Sequence, residues 1–96
     1  MMEKTGKLAA CAGYYKMEIQ EHPIPEPLED GLIIKVEAAA VCGGDQGFIQ
    51  DKSNHTPGCM GHEFAGRIIS MGSKAKEAIH CYGGELEIGA RIVVYP

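Results

Sequence analysis

The chain has 96 residues, of which 45% are hydrophobic and 23% charged, and its formal net charge is −4 at pH 7. This length allows one small domain with a modest core. Basic residues are scattered without forming a patch, which argues against nucleic acid as a partner. Apolar runs such as 38–42 are far too short to span a membrane, and residues 1–7 contain no apolar signal segment. We therefore expect a cytoplasmic protein with no membrane partner and with reduced cysteines.

The first third of the chain is predicted to form strands joined by turns. Residues 7–12 are a weak strand candidate, and residues 15–20 alternate apolar and polar side chains as a half-buried strand does. Three prolines within 22–27 remove backbone donors, so we expect an extended connector there. The Glu-Asp-Gly sequence at 29–31 predicts a turn before the next strand.

The longest predicted strand covers residues 32–42. Its even positions from Ile34 to Cys42 are all apolar, whereas the odd positions include Lys35 and Glu37. Side chains alternate between the two faces of a strand. We therefore expect Cys42 to point the same way as the core residues, with its thiol at the mouth of the core.

The rest of the chain is predicted to continue as short elements separated by glycines. In order these are a helical turn at 46–50, a strand at 64–71, one or two helical turns at 73–78, a surface loop at 80–84 and a last strand at 92–95. Short strands, glycine turns and one proline connector predict a mainly β fold, either a barrel or a sandwich.

Cys42 and His62 are the candidate metal ligands. Each lies in a glycine-rich setting at the edge of an apolar segment, and Zn²⁺ binds thiolate and imidazole readily. The glycines let the backbone turn sharply and leave room for a substrate beside a metal. The two residues are too far apart in the chain to form a tight chelating pair. The residue types alone thus leave two interpretations open: half of a zinc site, or a buried thiol and a hydrogen-bonded histidine.

Three segments, in this order, resemble the zinc-dependent medium-chain alcohol dehydrogenase superfamily. They are Ala39 to Asp45 (Ala-Ala-Val-Cys-Gly-Gly-Asp), Pro57 to Gly66 with Gly-His-Glu at its centre, and Gly89 to Val94 (Gly-Ala-Arg-Ile-Val-Val). The resemblance covers nearly the whole chain. It implies that residues 1–96 form a GroES-like, partly open β-barrel with short helical turns, the N-terminal part of a catalytic domain.

The resemblance also implies an oxidoreductase that transfers hydride between an alcohol or polyol, or the related carbonyl compound, and NAD or NADP. In that family the residues matching Cys42 and His62 bind the catalytic zinc, which polarises the substrate oxygen. A third zinc ligand and the Rossmann domain that binds the nucleotide come from much further along the chain. We therefore expect residues 1–96 to be a fragment, inactive alone and with weak or absent zinc, of a full-length homo-oligomer.

Four more residues take their interpretation from the resemblance. Asp45 resembles the family aspartate that orients the zinc-bound histidine, although an aspartate beside glycines is also typical of a turn. The residue matching Glu63 approaches or binds the metal in some states, yet a regular strand would turn Glu63 away from His62. Many family members carry Ser or Thr at the position of Gly44 and His at that of Gly47, so the usual proton relay is missing here.

Two alternatives remain at this point. Cys59 and His62 have a C-x2-H spacing, and with Cys42 they would supply three ligands of a self-contained structural zinc site. The other alternative is a metal-free GroES-like module for folding or assembly, which gives Cys42 and His62 no role. Outside these alternatives, Cys11, Cys59 and Cys81 are expected to be buried or loop thiols.

Overall fold

The computed structural model describes residues 5–50 and 58–94, with only the backbone described at Gly58 and Cys59. Six strands and two helices lie in these residues. In chain order they are β1 Thr5–Gly13, β2 Lys16–Pro23, β3 Leu32–Ala40, α1 Gly43–Gln50, β4 Gly58–Cys59, β5 Glu63–Met71, α2 Ala75–Ala78 and β6 Arg91–Val93. The predicted mainly β class is confirmed. No helix in the described part of the chain is long and apolar enough to cross a membrane.

The strands form two three-stranded sheets, with orders β2-β1-β4 and β3-β5-β6. The contacts between residues divide the described part of the chain into two compact units. The first unit holds residues 5–24, 40–50 and 58–63, and the second unit holds 25–39 and 64–94. All the candidate site residues, from 42 to 63, lie in the first unit.

In the first unit, β1 and β2 form an antiparallel hairpin in which Gly13 pairs with Lys16. Tyr14 and Tyr15 form the two-residue turn between the strands. The backbone has positive φ values of 153° at Gly13, just before the turn, and 54° at Tyr15, in a region that favours glycine. The amide of Tyr15 donates a hydrogen bond of 2.9 Å to the carbonyl of Ile49. The turn is therefore bonded to the last turn of α1.

The strand predicted at 15–20 is confirmed as β2, but the prediction that it is half-buried is wrong. Met17 and Ile19 of β2 are 45% and 70% exposed. β2 is an edge strand that pairs with β1 on one side among the described strands. An alternation of apolar residues shows which face of a strand could be buried, but it does not show that another element packs against that face. β2 also continues through Pro23, which pairs with Thr5, so the proline connector starts later than predicted.

In the second unit, the core lies beneath β5. Ile68, Ala75 and Leu86 are buried together, and half-buried apolar side chains from β3, β5 and β6 pack around them. Gly66 lies where β5 passes too close to β3 for a side chain, since a Cβ there would overlap the carbonyl oxygen of Lys35. Strand β5 matches the predicted 64–71 strand, with Gly66 and Ile68 buried and Arg67 exposed.

The long strand predicted at 32–42 is shorter and its apolar even face is not buried. β3 ends at Ala40, and its later even positions Val36 and Ala38 are exposed. Cys42 is thus not a strand residue. The predicted helical turn at 46–50 is a longer helix that begins at Gly43, and this early helix start is what ends the strand.

Candidate metal centre

Cys42 lies at the junction between β3 and α1. Its backbone carbonyl accepts hydrogen bonds from the amides of Asp45, at 3.1 Å, and Gln46, at 3.4 Å. In return, Oδ2 of Asp45 accepts a 2.9 Å bond from the backbone N–H of Cys42. This reciprocal arrangement is the second half of a capping box, in which an acid in the first turn closes back on the N-cap residue. The thiol is therefore placed by the start of a helix.

His62 lies between β4 and β5, directly after Gly61, whose φ of 94° turns the backbone in a way that favours glycine. Nε2 of His62 is 3.1 Å from Sγ of Cys42. The side chain of His62 is 51% exposed. The structure thus brings the two predicted ligands into direct contact and leaves one side of the pair open.

Asp45 lies behind this pair and is the buried charged residue among the described side chains, at 7% exposed. Its second oxygen, Oδ1, is 3.4 Å from Nδ1 of His62. An imidazole with its Nδ1–H directed at a carboxylate keeps the lone pair of Nε2 free for a metal. Asp45 thus lies next to the histidine ring, and its role of orienting that ring stays a prediction.

Glu63 joins the cluster. The ligand atoms of Cys42, His62 and Glu63 all lie within 4.8 Å of one another. The expectation that strand alternation turns Glu63 away from His62 is wrong, because β5 begins at Glu63 and His62 stands outside the strand. Alternation applies only within a strand. In the sequence, the glycine before His62 was the sign of a turn at this point, and the structure shows that turn as a φ of 94° at Gly61.

The donor set of these three residues fits zinc. Thiolate, imidazole and carboxylate together are typical of Zn²⁺, whereas Mg²⁺ and Ca²⁺ prefer oxygen alone. Typical zinc bond lengths in a tetrahedral site put sulfur and nitrogen about 3.5 Å apart. The observed separation of Sγ and Nε2, 3.1 Å, is within a few tenths of an ångström of that figure. Three protein donors also leave the fourth position that catalytic zinc sites keep open.

Glycines border the site on α1. A Cβ at Gly44 would lie 3.5 Å from Sγ of Cys42, and a Cβ at Gly43 or Gly47 would meet nothing within 4 Å. The helix surface next to the thiol is therefore bare backbone with free space around it. No hydroxyl or imidazole occupies positions 44 and 47.

The other cysteines fall in different places. Cys11 is buried in β1, where its thiol donates to the carbonyl of Gly13 at 3.2 Å, and Cys81 is half-buried in the loop after α2. Both agree with the expectation of buried or loop thiols. The side chain of Cys59 lies outside the described residues, so the structural zinc site with Cys59 stays a prediction. The backbone of Cys59 pairs with Ala10 of β1.

Residues 29–96 match the family model described as the alcohol dehydrogenase GroES-like domain. Sorbitol dehydrogenase of Ovis aries is 29% identical over 84 residues, which cover 83% of this chain and 22% of that protein. Sorbitol dehydrogenase of Bacillus subtilis (strain 168) is 30% identical over 95 residues, covering 94% and 25%. D-arabitol-phosphate dehydrogenase of Enterococcus avium is 33% identical over 76 residues, covering 75% and 22%.

The chain therefore spans no more than a quarter of the length of these relatives. No solved structure gives a significant match. The matched region 29–96 contains Cys42, Asp45, His62 and Glu63.

Proposed function

The chain belongs to the alcohol dehydrogenase GroES-like domain family, and on that premise we propose that it carries the zinc site of an oxidoreductase acting on an alcohol or polyol. NAD or NADP would accept or donate the hydride. The single observation that carries the proposal is the convergence of one thiol, one imidazole and one carboxylate, from Cys42, His62 and Glu63, within 4.8 Å.

In this proposal Cys42 and His62 hold the zinc and Glu63 supplies the third donor from the same chain. The sequence led us to expect a third ligand much further along, and the position of Glu63 is the reason to replace that expectation. When bound, zinc supplies Lewis-acid polarisation of the substrate oxygen. The open side of the cluster, marked by the half-exposed ring of His62, is where a substrate would approach.

The chain's own residues orient the ligands and shape the space around them. Oδ1 of Asp45 lies 3.4 Å from Nδ1 of His62, a position from which it would direct Nε2 toward the thiol of Cys42. Gly44 and Gly47 provide no group that moves a proton. We propose that the substrate proton leaves through water or through a residue outside positions 44 and 47.

Polyols are the substrate class we favour over simple alcohols. Three of the similar proteins are named for sorbitol or D-arabitol phosphate, which are polyols or their derivatives. The chain contains no G-x-G-x-x-G segment, so we propose that the nucleotide binds a Rossmann domain outside these residues. We also propose, from the family resemblance, that the full-length protein is a cytoplasmic homo-oligomer.

The metal site is tested by titrating the chain with Co²⁺, whose thiolate complexes have a characteristic charge-transfer absorption. We expect this band in the wild type, its loss in Cys42→Ser and its retention in the matched thiol control Cys81→Ser. A chelator should abolish it. Equal bands in wild type and Cys42→Ser would contradict the proposed ligand. Loss of the band in Cys59→Ser as well would favour the structural zinc site, and no metal binding at all would favour the metal-free module.

The reaction is tested by nicotinamide absorbance, with sorbitol and arabitol compared against ethanol. We expect residues 1–96 alone to show no turnover, and the same residues joined to a dinucleotide-binding domain to oxidise the polyols faster than ethanol. Cys42→Ser should abolish this turnover. Full activity in Cys42→Ser would exclude zinc catalysis through this thiol.

A further inference from the structure

We propose that the outer edge of β2 is an interaction surface whose partner is a second copy of this chain, paired antiparallel about Met17. The proposal does not depend on the metal site, because none of the candidate ligands lies on β2. β2 is the last strand in the order β2-β1-β4 and pairs with β1 along its whole length. Among the described strands, none borders its other side. The N–H and C=O groups of such an edge are a template for a further strand.

The side chains of β2 leave this edge accessible. Seven of its eight residues are exposed, and Gln20 is half-buried. Met17 and Ile19 lie on the same face of the strand and are 45% and 70% exposed. At the end of the strand Pro23 has no N–H to donate, which limits pairing there. The edge therefore offers apolar side chains and unpaired backbone groups together, mainly in the first part of β2.

The charges at the start of β2 favour a copy of the same strand as the partner. Lys16 and Glu18 are two residues apart, so they lie on one face. Within the described residues Lys16 has no ion-pair partner, and Glu18 accepts a hydrogen bond from the neutral amide of Gln20. When two copies pair antiparallel about Met17, Lys16 of each copy lies opposite Glu18 of the other. The pairing thus gives each of these charges an opposite charge.

The same register also matches apolar side chains. Met17 lies opposite Met17 of the second copy, and at the end of the pairing Ile19 meets Tyr15, which is 60% exposed. A register centred on Glu18 would place two carboxylates opposite one another, which is unfavourable. A register centred on Ile19 or on the next residue would place an apolar side chain opposite Glu21. The edge therefore favours pairing about Met17.

The paired segment is short, so the association is expected to be weak. Pairing about Met17 joins residues 15–19 of each copy, about 17 Å of strand. An edge of this length buries less than the roughly 1,000 Å² that stable interfaces exceed. We expect a dimer at about millimolar chain concentration and low salt, and its dissociation at high salt, because the charge pairs are exposed. A two-fold pairing closes with two copies, so no larger assembly is expected.

The test changes the two charges and measures association by sedimentation equilibrium. Lys16→Glu and Glu18→Lys each turn both charge pairs into repulsions, and we expect each variant to dimerise about 10-fold more weakly than the wild type. An equimolar mixture of the two variants should dimerise about as well as the wild type, because every Glu then lies opposite a Lys. Lys76→Glu and Glu26→Lys change the net charge equally at exposed positions away from β2 and should dimerise like the wild type.

Three results of this experiment would overturn the proposal. A wild type that stays monomeric at millimolar concentration would exclude a second copy as the partner. Wild-type dimerisation in both Lys16→Glu and Glu18→Lys would place the contact between copies on another surface. A mixture that associates no better than its two components would show that the charges do not face one another across the interface.

The register is tested by cross-linking under mild oxidation. Directly opposite residues have Cα atoms about 4.5–5.5 Å apart, within the range of a disulfide. We therefore expect Met17→Cys to form a disulfide between two copies at position 17, identified by peptide mapping. The matched control Ile19→Cys should form none at position 19, because its two thiols would be four positions, or about 13 Å, apart along the strands. A position-19 disulfide without one at position 17 would overturn the pairing about Met17.

Discussion

At the scale of single residues, Glu63 is the third donor of the proposed metal site. Cys42 and His62 touch one another, and Glu63 adds a negative charge within 4.8 Å of both ligand atoms. A neutral amide is a much poorer zinc ligand than a carboxylate. Its role is therefore measurable by an isosteric change.

We expect Glu63→Gln to weaken Zn²⁺ or Co²⁺ binding by more than the roughly 10- to 100-fold typical of losing an outer partner. The band from the Cys42 thiolate should remain, since sulfur stays bound once metal is supplied in excess. Competition with a chelating dye measures the affinity, and Glu87→Gln, an exposed carboxylate in the second unit, is the control for net charge. Unchanged affinity in Glu63→Gln would show that the carboxylate is a bystander.

The residues of the site differ in how far the sequence could predict them. Cys42 and His62 are conspicuous because their types suit zinc and glycines flank them, and the family resemblance adds Asp45. The place of Glu63 could not be derived from alternation, because the residue at which β5 begins is set by pairing and by the turn at Gly61. Likewise, nothing in the residue types shows that Asp45 also bonds the Cys42 amide, since this bond exists only once α1 has formed.

At the scale of elements, Gly66 is a point where β5 approaches the backbone of β3 too closely for a side chain. A Cβ at this position would overlap the carbonyl oxygen of Lys35 and lie 2.8 Å from Cγ2 of Ile34. A backbone oxygen cannot move aside as the end of a flexible side chain can. We expect Gly66→Ala to destabilise the chain by about 2–3 kcal/mol, the upper range for overpacking.

The matched control for Gly66 is Gly6→Ala in β1, where the added Cβ would lie 3.8 Å from Cγ1 of Ile24, an ordinary contact. Urea unfolding of the two variants measures the difference. We expect Gly6→Ala to change the free energy of unfolding by no more than about 0.5 kcal/mol, or to raise it. Similar losses in both variants would mean that the approach of β5 to β3 is not what position 66 requires.

Glu37 links all three strands of its sheet. Its carboxylate accepts from Nε and Nη2 of Arg91 at 3.0 and 3.3 Å and lies 3.7 Å from Nε of Arg67. The two arginines are directly opposite one another on β5 and β6, an unfavourable pair of like charges that the carboxylate offsets. The hydrogen bonds from Arg91 and the charges of both arginines hold the pKa of Glu37 below its ordinary value of 4.5.

The lowered pKa of Glu37 determines in which direction the stability of the fold changes with pH. A carboxyl group whose pKa is lower in the folded chain stabilises the fold above the unfolded pKa and loses that contribution as pH falls through the folded value. We expect Glu37→Gln to be slightly less stable than wild type above pH 4.5, and this difference to disappear as pH falls through the lower pKa that Glu37 has in the folded chain. The difference should shrink in high salt, because the pair is exposed. Unfolding midpoints across pH measure it, with the exposed Glu26→Gln as control.

The helices, strands and turns differ in how much of their structure is determined by their own local sequence. Strand β5 and the turn at 29–31 agree with prediction because a buried alternation and a Glu-Asp-Gly turn are local signals. β2 also forms as predicted, but its predicted half-burial is wrong, because burial depends on what packs against a strand and the strand's own sequence does not contain that. β3 ends early because α1 begins at Gly43, and a helix with three glycines is supported by Asp45 and Tyr15 rather than by its own propensity.

At the scale of the whole molecule, the chain divides into two units, so a metal bound in the first unit is expected to stabilise mainly that unit. Residues 42, 45, 62 and 63 all lie in the first unit, although the chain passes back and forth between the units. A ligand that binds only the folded form stabilises it by about 2.7 kcal/mol at roughly 100 times its Kd. Amides whose exchange requires opening of the metal site should then exchange about 100-fold more slowly.

We therefore expect saturating Zn²⁺ to slow hydrogen exchange in β1 and α1 by up to about 100-fold and to leave the amides of β6 and of the second-unit part of β5, residues 64–71, largely unchanged. Hydrogen exchange followed by NMR measures this, with Cys42→Ser showing no effect of zinc in either unit. The site unit responds because its opening separates Cys42 from His62, whereas the buried cluster around Ile68 contains none of the ligands. Equal slowing in both units would contradict this expectation and show that the two open together as one cooperative structure.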